Sequence, residues 1–522
     1  METLRPSDFE DLNPLSPFSR RIFIKGLGFV SVALLMGSLG GCDQLADAIK
    51  NRPTRRRLRT GSADVDADID TYRQGVTLMK GLDSSNPGDQ RGWANQAAIH
   101  GVPAHFNFCE HGTDHFFDWH RAYLLNFERI IQKLTGKPKW GLPYWNWNQN
   151  PDIHPAFLDQ TSVLFLARSR TSMSGSFSIT TATLDPIMAD TNFFTFSNQI
   201  EGTPHNNTHS FIGGTMGSFA SAQDPLFWMH HCMVDYCWAK WNIDLNNNNT
   251  NDATWSNHVN SHFVDADGNP TDATGGITTI MPLLSYQYES SAIGSSPAAA
   301  AITSKVAFEK LRKRVQDGAN IRFEIKHRVR LAEAARASIG KPLSLETKLT
   351  PQDFAAIVNS NTASERIFAS IQYANLPATS DFSVRVFVNL PTANSGTSTE
   401  DPHYAGSFAF FGVPAPGAAP PAASPSPTPA RPTPPARGAA APAPSPTPAT
   451  PGEHRHPAKF LVNLTNTMQK LRSRGDLKEG TPLSLQLVPA PFGGKFERED
   501  TELELSGIEI VVTPVIINPA PQ

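Results

Sequence analysis

The stretch CEHGTDHFFDWHRAYLLNFER, Cys109 to Arg129, sets histidines on the face that a helix would bury. Steps of three and four put Phe116, His120, Tyr123, Leu124, Phe127, Ile130, Ile131 and Leu134 on one side. Asp114 is the expected N-cap and Gly136 the expected stop. One histidine in such a stripe is ordinarily a satisfied core residue. Two further segments repeat the pattern. In TPHNNTHSF, Thr203 caps, Pro204 opens the first turn and Gly213-Gly214 ends the helix, with His205 and His209 projecting together at i and i+4. In DPLFWMHHCMVDYCW, Asp224 caps, Pro225 starts the helix, and Phe227, His231, Val234 and Trp238 share a stripe. Three amphipathic helices with inward histidines, plus His100 and His111 just upstream, predict a helical bundle whose metal ligands converge from facing helices.

The donor set is nearly all imidazole. Between residues 70 and 290, where these histidines lie, no Glu-x-x-His and no His-Glu-x-x-His occurs, which argues against carboxylate-bridged di-iron and zinc-protease sites there. Imidazole sites suit copper, zinc, iron and nickel, and two groups of three fit two copper ions with open coordination. Spacing alone leaves that as one choice among several.

The remaining sequence bounds the architecture. Its 522 residues suffice for two to four domains, and 39% hydrophobic content is that of a globular chain. A formal charge of −3 gives no sign of a nucleic-acid partner. The four cysteines, Cys42, Cys109, Cys232 and Cys237, do not form a disulfide framework, because Cys232 and Cys237 are badly spaced for a bridge on one helix. Residues 1–42 read as a targeting segment. Arg20-Arg21 with Phe23 and Lys25 resembles a twin-arginine export signal, and Leu39-Gly40-Gly41-Cys42 resembles a lipoprotein cleavage box with Cys42 as the lipidated residue. Asp43 after it implies an inner-membrane anchor on the periplasmic side. Residues 43–69 then form a tether, and its arginines Arg52, Arg55, Arg56, Arg57 and Arg59 meet anionic headgroups or solvent.

Between about residues 70 and 290 the apolar period is helical. After about 320 short alternating strands take over, among them FSVRVFVNL from Phe382, KFLVNL from Lys459 and ELELSGIEIVV from Glu502. Pro414 to Pro451 holds 15 prolines in 38 residues, too little apolar surface to fold. The expected fold is therefore α+β: a helical metal domain over 70–330, then a β-sandwich-like domain over 331–413 and 457–517. A disordered Pro/Ala-rich insertion over 414–456 interrupts it.

With these segments in view, the chain resembles the tyrosinase and catechol oxidase family of type 3 copper proteins, which also holds the molluscan oxygen carriers. The resemblance covers roughly Trp93 to Trp241, through IHG at Ile99, HGTDHFFDWHRAYL with its nine-residue step, LPYWNW at Leu142, EGTPHNNTH and DPLFWMHHCMVD. It implies two copper ions, copper A on His100, His111 and His120 and copper B on His205, His209 and His231. His100 is preferred over His105 by its IHG context, and His115 and His230 fall outside the ligand pattern. The resemblance further implies a thioether between Cys109 and His111, a pair of Arg121 with Asp235 between helices, and Phe219 as a bulky residue over copper A. Glu201 and Asn206 would hold the water that deprotonates a monophenol. The implied activity is oxidation of o-diphenols to o-quinones with O2, with monophenol hydroxylation. The alternatives are an o-aminophenol oxidase and a non-enzymatic O2-binding protein of the hemocyanin kind. DPHYAGSFAFFG at Asp401 to Gly412 resembles the start of the β-domain that covers the active site in latent members.

Overall fold

A computed structural model describes residues 51–290, 324–414 and 458–514, apart from 176, 359, 361–363 and 497, together with 313 and 318. The export segment over 1–42 with Cys42 lies outside the described residues, as does the proline-rich tract from 415 to 457. Among the described residues no helix is long and apolar enough to cross a membrane.

The helices of the first unit that position the histidines are α1 (Ala63–Ser85), α2 (Trp93–His100), α3 (Phe116–Thr135), α4 (Phe193–Ile200), α5 (Asn206–Ile212) and α6 (Pro225–Ala239). The α3 stripe is buried as its spacing predicts, with Phe116, Leu124, Phe127, Ile130 and Ile131 wholly enclosed. Gly136 ends the helix at φ 65°, a left-handed conformation that glycine takes without Cβ strain. The expected Asp114 cap is displaced. His115 occupies the N-cap position with no side-chain cap bond, and the Asp114 carbonyl accepts from the Trp255 indole instead. Every residue of α6 is buried, so it is the central helix. Asp224 caps it as expected, accepting from Leu226 N at 2.9 Å, with Pro225 at the first position.

Thr203 is not a cap. The chain runs from α4 through a π-helical turn, Glu201–His205, into α5 without a break. Pro204 inside that turn has no N–H to close an i to i−4 bond, and the turn widens to the π form. Thr203 uses its hydroxyl on the Ser407 carbonyl of the second unit.

The arginine run is folded, in contrast to the tether expected over 43–69. Strand β1 (Thr54–Arg55) pairs in parallel with β2 (Gln287–Tyr288). Arg55 is wholly buried, its Nε 2.8 Å from Glu128 and one terminal nitrogen 3.0 Å from Asp235. Arg52 gives hydrogen bonds to the carbonyls of Pro282 and Leu283. Composition alone marks five arginines as a solvated run, whereas buried carboxylates on α3 and α6 draw Arg55 inward.

The second unit is a sandwich of two antiparallel sheets. One orders β9 (Lys459–Asn463), β6 (Glu365–Tyr373), β11 (Glu502–Pro514) and β3 (His327–Ala332), with β4 (Ala335–Ser338) also on β11. The other orders β8 (Tyr404–Ala409), β7 (Phe382–Val388), β10 (Leu483–Pro491) and β5 (Leu343–Thr347). Ile371, Val384, Val386, Leu485 and Ile510 meet in the core between them. The strands flanking the proline-rich tract, β8 and β9, belong to opposite sheets of this one sandwich. Beyond β8 the chain does not turn away. Ser210 donates to the Phe410 carbonyl, Phe219 N donates to the Val413 carbonyl at 2.9 Å, and Ser218 bridges to Val413. Residues 404–413 thus lie along the π turn and α5, and bring the sandwich onto the histidines.

Candidate metal centre

Six histidines reach one buried volume from six places in the fold. His100 ends α2, and His111 lies in the loop before α3. His120 is on α3, His205 closes the π turn, His209 is on α5 and His231 on α6. All are under 8% exposed. Neighbouring rings of the first three lie 4.9 to 5.8 Å apart, and those of the other three 4.6 to 5.2 Å apart. The two groups touch, with His120 stacked on His231 at 4.5 Å.

The ring orientations say what the volume is for. Nδ1 of His120 faces the Phe116 carbonyl at 2.7 Å, and that of His209 faces the Met216 carbonyl at 2.7 Å. Nδ1 of His205 faces Asn206 Oδ1 at 2.8 Å. A ring held through Nδ1 presents Nε2 as a lone pair, the arrangement of metal-ligating histidines. The Nε2 atoms of His111 and His120 and both ring nitrogens of His100 are buried without a hydrogen-bond partner. Nε2 of His231 has only the Nε2 atoms of His205, at 3.3 Å, and His209, at 3.1 Å. Neutral imidazoles crowded nitrogen to nitrogen need a cation between them. Burial, and then the neighbouring rings, hold these histidines neutral, with His100 and His205 lowered to about 3. Neutral imidazole is the form that binds metal. Copper fits this donor set: overlapping clusters of imidazole nitrogens, with the Cys109 sulfur beside His111 and no carboxylate among them.

Around this volume each residue has a definite place. Cys109 Sγ is 3.1 Å from His111 Nδ1 and buried, and burial pushes its thiol up. Gly112, at φ 68°, turns the loop just after His111 and donates its N–H to Glu201 Oε1 at 2.6 Å. Burial pushes the Glu201 carboxyl up to about 8. Asn206 holds His205 through Oδ1 and donates Nδ2 to the Ala409 carbonyl at 3.0 Å. His105 stays outside the cluster, its Nδ1 on the Phe106 carbonyl. His115 turns to Asp118 at 3.1 Å and stacks on His258. His230 is buried among the rings of His205, His209 and His231.

Arg121 and Asp235 do meet. Arg121 Nε is 2.5 Å from Asp235 Oδ1, while Arg55, Tyr286 and Tyr288 all donate to Oδ2. Burial alone would raise the Asp235 carboxyl, but the two guanidinium groups overcome it and hold it below the usual range. The network ties α3, α6 and β1 together directly behind His120 and His231.

Two aromatic residues were not legible as functional. Phe106, rather than Phe219, packs on the first histidine group, 4.6 Å from His111 and 5.4 Å from His100, and Phe219 stands behind it at 4.8 Å. Phe411 comes from the sandwich. Its ring stacks on His209 at 3.9 Å and 17°, and lies 5.3 Å from His111 and 5.4 Å from His205. It therefore fills the space between the two groups. The run Phe408, Phe410, Phe411 signals apolar burial, and nothing in its sequence says where Phe411 is buried.

The family model described as the common central domain of tyrosinase matches residues 90–179 and 160–244. A tyrosinase of Hahella sp. is 26% identical over 287 residues, 43% of this chain and 61% of that protein. The apple polyphenol oxidase is 29% identical over 269 residues, 41% of this chain and 44% of that one. The chain thus spans about half the length of the curated relatives it matches. In fold, a latent aurone synthase superposes with a TM-score of 0.56 at 19% identity, covering 89% of this chain and 91% of its own. The latent apple tyrosinase gives 0.54 at 18%, covering 88% and 97%. These likenesses extend through the sandwich as well as the helices. The matched central domain and the tyrosinase and polyphenol oxidase relatives place residues 90–244 of the chain in the tyrosinase family.

Proposed function

We propose that the chain is a phenol oxidase that takes o-diphenols to o-quinones with O2 and hydroxylates monophenols. The observation that carries this is the convergence of six buried, neutral imidazoles whose Nε2 atoms lack partners other than one another. His100, His111 and His120 would hold copper A, and His205, His209 and His231 copper B. Two bound copper ions supply the two-electron exchange between a diphenol and O2, so that two diphenols and one O2 yield two quinones and two waters.

The protein's own part is binding, orientation and proton handling. Phe411 marks where an aromatic ring sits: flat on His209, between the histidine groups, in a buried volume. A phenol entering there replaces one six-membered ring by another. Glu201 and Asn206 lie at the edge of the same volume, four residues and one residue from His205. Glu201 accepts the proton of a monophenol through a water that the Asn206 amide orients once it is released from Ala409. Held positive charge on the histidines would draw the Glu201 carboxyl down from its high value and ionise it. Glu201→Gln is therefore expected to lower uptake of O2 with tyramine by about 100-fold, within the usual range for losing a general base. Uptake with 4-tert-butylcatechol should stay within about twofold of the parent. Equal loss on both substrates would remove Glu201 from the proton-transfer role.

Cys109 and His111 would join in a thioether. The S–H and one ring C–H are lost, a C–S bond forms, and O2 takes the two electrons and two protons. The peptide carrying both residues should then be about 2 Da lighter than its sequence after copper loading in air, and of sequence mass without copper. An unchanged mass would leave Cys109 a buried thiol.

The export reading rests on Arg20-Arg21 and Cys42. The protein should fractionate with the inner membrane, and Cys42→Ala should release it to the soluble periplasm. Soluble parent protein would contradict the anchor.

The covering ring of Phe411 favours one other reading, an O2-binding protein whose site is closed to phenols. Reversible O2 binding without phenol turnover after Phe411 is removed would distinguish it. An o-aminophenol oxidase differs only in the substrate that is turned over fastest.

A further inference from the structure

His230 sits inside the copper B group without belonging to it. Its ring centroid is 4.6 Å from that of His209, 5.4 Å from His205 and 5.3 Å from His231. One ring nitrogen from each of the four lies within 4.8 Å of the others. By proximity alone copper B has four imidazoles to choose from. The choice is made from the far side of the ring. Trp147 Nε1 lies 3.1 Å from His230 Nδ1, and both residues are buried. An indole nitrogen only donates, so Nδ1 of His230 must be the lone pair. A neutral imidazole with Nδ1 as acceptor carries its proton on Nε2. That nitrogen is buried with no hydrogen-bond partner of good geometry, against the backbone of His205. A protonated Nε2 cannot bind a metal. The loop that delivers Trp147 is registered along α6 by Trp145 N, which donates to the Met229 carbonyl next to His230 at 3.1 Å.

We propose that Trp147 holds His230 out of the copper B ligand set by fixing its proton on Nε2, and so keeps a coordination position open for O2 and substrate. This rests on the copper reading above. Trp147 acts through His230 and is a positioning residue. Its removal frees the proton to move to Nδ1, and Nε2 becomes a fourth imidazole donor for copper B.

The test is the rate at which copper leaves fully loaded protein to excess EDTA, read with copper content and O2 uptake. In Trp147→Phe, copper B should leave about tenfold more slowly or less, and O2 uptake with 4-tert-butylcatechol should fall by a similar factor. A packing role predicts the opposite sign, because a loosened site loses copper faster. In Trp147→Phe/His230→Gln the slowing should vanish, since Gln offers no imidazole. His230→Gln alone should still bind two coppers per chain, and this result stands even if Trp147→Phe does not fold. Faster or unchanged copper loss in Trp147→Phe, slowing that persists in the double variant, or one copper in His230→Gln would each overturn the proposal. If the parent itself fails to bind two coppers, the copper reading fails first.

Discussion

Replacing Phe411 with alanine is expected to raise catechol oxidation by the intact chain on the order of tenfold to a hundredfold. The ring and an incoming phenol compete for one place. The Phe411 ring is enclosed on His209 with Phe106, His111 and His205 around it. Burying such a ring is worth about 1.5–3 kcal/mol. A phenol must displace it, so its apparent affinity falls by the fraction of time that the ring is in place. Removing the ring returns that free energy, at about 1.4 kcal/mol per tenfold. The change should appear in KM before kcat, because the histidines themselves are untouched. Residues 404–413 stay bound to the π turn and α5 through Thr203, Asn206, Ser210 and Phe219. A cut within 415–457 leaves Phe411 attached to β8, so cleavage of the proline-rich tract alone should raise activity less than Phe411→Ala does. Michaelis profiles of Phe411→Ala against the parent decide the point. Equal profiles would mean that the ring yields freely and does not guard the site.

Asp235→Ala is expected to cost about 3–5 kcal/mol, the range for leaving buried charges without their counter-ion. Among the described residues Arg121 has this carboxylate as its ion-pair partner, and Arg55 would keep Glu128 and the Tyr288 hydroxyl. Neither guanidinium can reach water, with Arg121 seated 3.5 Å from the Trp238 ring centre and Arg55 3.5 Å from that of Tyr286. For a domain of this size the loss corresponds to a fall of roughly 10 °C or more in Tm. Because the network lies behind His120 and His231, copper content should fall with stability. Thermal unfolding followed by circular dichroism, with copper counted on the same sample, measures both. A loss under about 1 kcal/mol would show that the surrounding hydrogen bonds carry the charges without Asp235.

Much of the centre was legible because its chemistry forces a pattern. A histidine that binds metal from a helix must lie on the buried stripe, so His120, His205, His209 and His231 announce themselves by period. Copper itself came only from the family resemblance, since other metals accept the same nitrogens. The strands of the sandwich were legible for the same reason of period, including β7, β9 and β11.

What failed was what depends on contacts distant in sequence. Arg55 reads as one of five surface arginines until Glu128 and Asp235 surround it, 73 and 180 residues away. Thr203 has the composition of a helix cap, but a π turn carries the helix past it and Ser407 takes its hydroxyl. Phe411 is one of three phenylalanines in four residues, and Phe408 and Phe410 go to the sandwich core. Only the tertiary fold separates the one that enters the metal centre from the two that do not.

The central claim is that the two histidine groups make a dicopper phenol oxidase. The direct measurement is O2 uptake by copper-loaded Phe411→Ala with 4-tert-butylcatechol, with copper counted on the same sample. The account predicts two coppers per chain and one O2 consumed for every two catechols oxidised. Two bound coppers with no catechol-dependent uptake would contradict it.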